Sequence, residues 1–194
     1  MLVGSVVLGL AVAAFVVPGL LVGSGPGDSS VEIVRSSSQT VPGEDDGVIS
    51  DGMAVSVFDG ELPAVGKLDA ELLDALRRAA VDADAYGVRL RVNSGWRSPE
   101  YQQRLLEDAV AKYGSWEKAA RWVSTPEASA HVKGEAIDIG PAEAAAWLAE
   151  HGAAYGLCQI YANEPWHYEL RPGAVRDGCP PMYADPTEDP RTQP

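Results

Sequence analysis

Two stretches of this chain concentrate side chains that can do chemistry. The first is Ser129-Ala130-His131-Val132-Lys133-Gly134-Glu135-Ala136-Ile137-Asp138, and the second, a short way downstream, is Glu164-Pro165-Trp166-His167. Two imidazoles and one carboxylate can hold a zinc ion while leaving a fourth position open for water, and a second carboxylate three residues before a ligand can take that water's proton. His131, Asp138 and His167 are therefore the candidate ligands, and Glu164 the candidate general base. His131 precedes Gly134 and Asp138 at a spacing that lets the chain fold back around a tight glycine turn, so both side chains can converge on one ion. Pro165 excludes a helix interior, which places base and neighbouring ligand at the start of a strand.

The segments that must position these residues are legible from their punctuation. Asp69 caps a helix that carries Leu72, Leu73, Leu76 and Ala80 on one face and stops at Gly87. Ser98 and Pro99 supply the cap and first turn of a second helix ending near Gly114. Ser115 opens a short third helix containing Trp116 and Trp122, and Pro141 starts an Ala-rich fourth that ends at Gly152. Between them, residues 88–93 alternate apolar and polar side chains as a half-buried strand does, and residues 136–139, 157–162 and 166–170 are further strand candidates. The late strands have no helix between them, so antiparallel pairing is expected. The fold class is α+β, a small antiparallel sheet with helices packed on it.

At 194 residues the chain has room for one ordinary domain. Its net charge of -13 argues against a nucleic-acid partner, because neutralising phosphates needs clustered Lys and Arg. Residues 2–27 hold no charged side chain, and residues 2–22 form an apolar run long enough to cross a bilayer core. Residues 1–23 are expected to be a signal peptide or signal anchor, which makes the rest extracytoplasmic, either membrane-anchored or secreted. Residues 24–52, rich in Gly, Ser, Pro and acids, are expected to be a flexible linker. The folded domain is expected over residues 53–185 and a disordered tail over 186–194. A monomer is expected.

Other candidates have narrower roles. His151 falls at a helix end, where an imidazole complements exposed carbonyls, and is assigned a structural role. Cys158 and Cys179 are the only cysteines; in an exported domain an even pair points to a disulfide, which would pin the tail back and contribute about 3 kcal/mol. Arg97 follows a strand and precedes a helix cap. Its planar fork can hold a peptide's terminal carboxylate or stabilise an oxyanion. Glu169, two residues past His167 on the same strand face, could orient a ligand imidazole. Trp96, Trp166 and Tyr168 are assigned to core or pocket wall.

Ser-x-His-x-x-Gly-x-Ala-x-Asp followed by Glu-x-x-His resembles the VanY-type D-alanyl-D-alanine carboxypeptidases of the M15 peptidases (subfamily M15B). Ser94-Gly95-Trp96-Arg97-Ser98, with Gln102 a turn later, is similar to that family's Ser-Gly-Tyr-Arg-Ser segment, with Trp in place of Tyr. The likeness extends over residues 68–170. It implies a Hedgehog/DD-peptidase-like fold, zinc held by His131, Asp138 and His167, and Glu164 as catalytic base. It further implies a substrate or transition-state role for Arg97, and Ser129 and Gln102 lining the substrate site. The activity it implies is removal of the terminal D-alanine from a peptidoglycan stem peptide. A D,D-dipeptidase, an L-Ala-D-Glu endopeptidase and a non-catalytic zinc-containing wall-binding module are the alternatives.

Overall fold

A computed structural model describes residues 41–192. In chain order the elements are α1 (Pro63–Gly66), α2 (Ala70–Ala85), β1 (Arg91–Ser94), α3 (Pro99–Tyr113), α4 (Trp116–Ala120), β2 (Ala136–Gly140), α5 (Ala142–His151), β3 (Leu157–Gln159), β4 (His167–Leu170) and α6 (Ala174–Asp177). The four strands form one sheet of order β1-β2-β4-β3, antiparallel throughout. This is the expected α+β arrangement.

The helices begin where their caps put them. Asp69 accepts the backbone N–H groups of Glu71 and Leu72 at 2.9 and 3.1 Å, and Ser98 accepts that of Tyr101 at 3.0 Å. Leu72, Ala75, Leu76, Ala79 and Ala83 of α2 are all buried. With Leu148 of α5 they pack on one face of the sheet, against Val92, Ile137, Ile139, Leu157 and Tyr168. The Tyr168 hydroxyl donates to the Ala145 carbonyl of α5 at 2.5 Å, which satisfies the only polar group that this ring carries into the core.

Strand alternation then sends the intervening residues to the opposite face: Asp138 on β2, His167 and Glu169 on β4, Cys158 on β3. That face is covered too, so all five residues of β2 are buried. One side of the sheet is therefore an apolar core and the other a covered polar layer.

Several expected boundaries move, each for an identifiable reason. The strand expected over 88–93 is Arg91–Ser94, because the Val88 N–H closes the end of α2 on the Ala83 carbonyl at 3.0 Å. The strand expected over 157–162 stops at Gln159; beyond it Ile160 and Ala162 exchange backbone hydrogen bonds with Tyr183 of the tail, at 3.0 and 2.9 Å. α4 ends before Trp122, which instead stacks on Tyr113 with ring centroids 6.0 Å apart.

The linker and tail expectations also need correction within the described residues. Asp46, in the 3-10 turn Glu44–Asp46, accepts the Ser98 N–H at 2.8 Å through its backbone carbonyl. Gly47 (φ 89) lies so close to Trp96 that a Cβ there would sit 2.0 Å from its carbonyl oxygen. This stretch has too few large apolar side chains to look folded, and it is held through its backbone instead. The tail forms 3-10 turns at Pro186–Glu188 and Pro190–Thr192, with Asp189 between them fully buried. Ion pairs hold it, and these leave no periodicity in the sequence. The Cys158–Cys179 disulfide is formed. The apolar run of residues 2–22 lies outside the described residues; among those described, no helix is long and apolar enough to cross a membrane.

Candidate active site

The β2–β4 register sets Asp138 directly opposite His167, so two of the three candidate ligands are cross-strand neighbours. His131 reaches them from the preceding turn. There the Gly134 N–H donates to the His131 carbonyl at 3.0 Å and the Glu135 N–H to that of Ala130 at 2.8 Å. All three side chains are buried, and their facing atoms form a near-equilateral triangle. His131 Nε2 lies 3.2 Å from His167 Nδ1, His167 Nδ1 lies 3.2 Å from Asp138 Oδ1, and His131 Nε2 lies 3.4 Å from that same oxygen. Ligands about 2.0–2.1 Å from a tetrahedral ion stand about 3.3 Å apart, so the triangle has the size that one ion requires.

The remaining ring nitrogens fix what those corners offer. His131 Nδ1 is 2.8 Å from the Gly95 carbonyl, which can only accept, so the proton is assigned there and Nε2 keeps its lone pair. His167 Nε2 is 3.3 Å from Glu169 Oε1, which assigns a proton there likewise and leaves Nδ1 facing the triangle. Two imidazole nitrogens and a carboxylate oxygen thus converge, a donor set that fits a metal cation once the cation displaces the proton on His167 Nδ1.

The turn that brings His131 round depends on Gly134. Its φ is 75, its carbonyl accepts the Asp69 N–H at 2.8 Å, and an added Cβ would lie 2.6 Å from the Lys67 carbonyl oxygen. Gly134→Ala should therefore destabilise the protein by roughly 1–3 kcal/mol, read as a shift in denaturant midpoint. An unshifted midpoint would contradict the turn's assigned strain.

Burial and neighbouring charge pull these groups in different directions. Burial lowers the His131 pKa, and the Arg97 guanidinium lowers it further, keeping the ring neutral. For His167 burial also acts downward, but hydrogen bonds to Asp138 and Glu169 outweigh it and lift the ring to about 9, so without a metal both nitrogens carry protons and the Nδ1 lone pair is freed when a cation displaces its proton. Burial would raise Asp138, yet the two histidines and Arg97 hold its carboxyl well below the usual range. Glu164 is raised to about 7, with burial the main cause.

Glu164 lies in the turn before β4, where its carbonyl accepts the His167 N–H at 3.1 Å, and its Oε2 is 3.8 Å from His167 Nδ1. Arg97 enters from beyond β1, next to a register shift in that strand between Val92 and Ser94. It donates to Ser94 Oγ at 2.8 Å, Gln102 Oε1 at 3.1 Å and Asp138 Oδ2 at 2.9 Å. Gln102 Nε2 donates to the Ser124 carbonyl at 2.9 Å, so both ends of this amide bond within the protein and brace Arg97. Ser129 Oγ accepts the Val132 N–H at 3.4 Å and holds the His131 turn.

These residues surround a cavity of about 260 Å³ whose wall includes Trp122, Trp166 and Pro186. A groove of about 440 Å³ beside Val55, Val81 and Leu90 carries no comparable cluster. His151 stands apart at the end of α5, its ring stacked on Tyr86 at 6.1 Å.

Sequence reasoning reached Glu169 behind His167 but missed the groups that hold it and pack beside it. Glu169, only 1% exposed, is bound by Arg171 and, from the tail, by Arg191. Tyr161 lays its ring 5.1 Å from that of His167. The one available signal was Cys179, which ties the tail to the sheet.

Comparison with known proteins gives a consistent result. Residues 66–172 match the VanY family, described as D-alanyl-D-alanine carboxypeptidase. A D-alanyl-D-alanine carboxypeptidase of Enterococcus faecalis (strain ATCC 700802 / V583) is 32% identical over 123 residues, covering 50% of this chain and 43% of the relative. The chain thus spans less than half the length of that curated relative. Among solved structures, a point mutant of the vancomycin-resistance D,D-pentapeptidase VanY from a VanB-type cassette, in complex with Zn(II), is 30% identical. Its TM-score is 0.50, over 53% of this chain and 72% of that one. VanYB in complex with D-alanine-D-alanine is 27% identical, with a TM-score of 0.53 over 57% and 74%. The LdcB LD-carboxypeptidase, 24% identical over 70% and 73% at a TM-score of 0.53, shares the fold. The family match takes in more than half of the sequence and every residue of the buried triangle, and the chain belongs to the VanY family of D-alanyl-D-alanine carboxypeptidases.

Proposed function

We propose that this chain is a zinc-dependent D,D-carboxypeptidase that hydrolyses the terminal D-Ala-D-Ala bond of peptidoglycan stem peptides. The observation that carries this is the pairing of three convergent ligand atoms with a second carboxylate, Glu164, buried in the same cavity yet outside the triangle. A purely structural zinc site fills its fourth position with a protein ligand and has no use for a base. The Zn(II) and D-alanine-D-alanine held by the two VanY structures support the metal and the substrate class.

His131, Asp138 and His167 would hold the zinc. When bound, it supplies a Lewis acid that lowers the pKa of a coordinated water to about 7. Glu164 takes a proton from the attacking water as oxygen adds to the carbonyl carbon. It returns that proton to the leaving amine when the C–N bond breaks, so its position near neutrality suits both halves of the cycle. Arg97 is braced by Ser94 and Gln102. It holds Asp138 in place and keeps N–H groups for the developing oxyanion or the substrate's carboxylate. Ser129 and Gln102 shape the cavity wall through the turns and side chains that they hold.

A peptidoglycan substrate supports action outside the cytoplasm. The apolar residues 2–22 would serve as signal peptide or membrane anchor, the residues from 24 to the docked turn near Asp46 as the linker, and the domain would act as a monomer.

Incubating the zinc-loaded protein with a stem pentapeptide, the matching tetrapeptide and free D-Ala-D-Ala, then identifying products by mass, separates the possible activities. Loss of one D-alanine from the pentapeptide alone is expected. Cleavage of the dipeptide alone, of the tetrapeptide, or between L-Ala and D-Glu would assign a different activity on the same fold.

A further inference from the structure

Glu169 is the partner of His167 Nε2, and two of the three bonds that arginines make to its carboxylate come from Arg191, outside the family match, which ends at residue 172. Arg191 Nη1 donates to Glu169 Oε2 at 2.6 Å and its Nη2 to Oε1 at 3.2 Å, a two-pronged grip that fixes the carboxylate plane. Arg171 adds one bond, Nη2 to Oε2 at 2.7 Å, and leaves Oε1 alone. Oε1 is the oxygen that faces the imidazole.

Arg191 is itself oriented. Asp189, fully buried, accepts the Arg191 backbone N–H at 2.9 Å and its Nε at 3.0 Å, and also bonds Nη2. Asp189 Oδ2 accepts the Tyr161 hydroxyl at 3.0 Å, and the Tyr161 ring packs on His167. His167, Glu169, Arg191, Asp189 and Tyr161 thus form a closed circuit around one ligand imidazole. The tail completing it is fastened at Cys179 by the disulfide, at Tyr183 by two backbone bonds to the chain after β3, and at Asp185 by Arg121 at 2.7 Å.

We propose that Arg191 is a positioning residue of the metal centre. Through Glu169 it holds His167 in the tautomer and orientation that present Nδ1 to the ion, which makes the C-terminal segment part of the site. This rests on the zinc assignment above. Without the fork, the Glu169 carboxylate is free to turn toward Arg171, and Oε1 leaves the imidazole N–H.

The test uses the full chain and compares zinc affinity by chelator competition for wild type, Arg191→Ala and Arg191→Lys, at a temperature where circular dichroism shows each folded. Loss of an outer partner of a metal ligand typically costs roughly 10–100-fold in affinity, and Arg191→Ala should fall in that range. Lysine restores charge but not the fork, so Arg191→Lys should lie between the other two. The visible spectrum of the cobalt-saturated variants provides a second readout. A role confined to tail stability would leave the loaded site's spectrum unchanged, whereas a turned His167 alters it. If Arg191→Ala does not fold, Arg191→Lys carries both measurements. Wild-type affinity within twofold, together with an unaltered cobalt spectrum, overturns the proposal. A wild-type chain that takes up no zinc overturns the metal assignment itself, and this inference with it.

Discussion

Glu164→Gln should leave zinc binding intact and lower kcat by roughly 10²–10⁴-fold, the usual contribution of a positioned general base. Glutamine keeps the size and planar shape of the side chain, so the cavity wall is preserved, but it cannot take a proton from water. The substitution also removes a buried negative group that is outside the triangle, 3.8 Å from His167 Nδ1, and touches none of the hydrogen bonds that fix the ligand tautomers. The expected pattern is therefore full metal content with little turnover. Near-normal hydrolysis of a D-Ala-D-Ala peptide by this variant would remove Glu164 from the mechanism.

His131→Ala should give the converse pattern, with loss of the metal and, as a consequence, of all activity. Two of three protein ligands would remain, and the Gly95 carbonyl would lose the N–H that it accepts at 2.8 Å. The drop in affinity should exceed the roughly 10–100-fold that follows from losing an outer partner, because a bond to the ion itself is gone. Metal analysis after gel filtration reads the result directly. Full zinc occupancy in the folded variant would show that the triangle is not the metal site.

The parts of the site that were legible in the sequence are those encoded by local constraints. The glycine between His131 and Asp138 marks a turn because only a left-handed residue closes it, and the proline after Glu164 marks a break before a strand. Asp138 and His167 alternate with Ile137, Ile139 and Tyr168, so the same pattern that predicts strands also assigns one face to chemistry and the other to the core. The helices were legible because Asp69, Ser98 and Ser115 cap them in the ordinary way.

The remainder depends on pairings between distant residues that have no periodic signature. Arg191 meets Glu169 across 22 positions, in a Pro- and Asp-rich tail whose composition otherwise signals disorder. Residues near Asp46 dock through a backbone carbonyl and a close glycine contact, neither of which depends on side-chain hydrophobicity. Gln102 illustrates a subtler limit. Its place in a family motif suggests contact with substrate, and it does line the cavity; that its buried amide also bonds Arg97 and Ser124 could not be read from the motif.

The most direct test of the zinc D,D-carboxypeptidase assignment is D-alanine release from a stem pentapeptide by the same protein sample before chelation, after chelation and after zinc is restored. One D-alanine per peptide should appear, stop on removal of the metal and resume on its return. Release that persists at the same rate in the chelated protein, or no release from protein shown to be zinc-replete, would contradict the assignment.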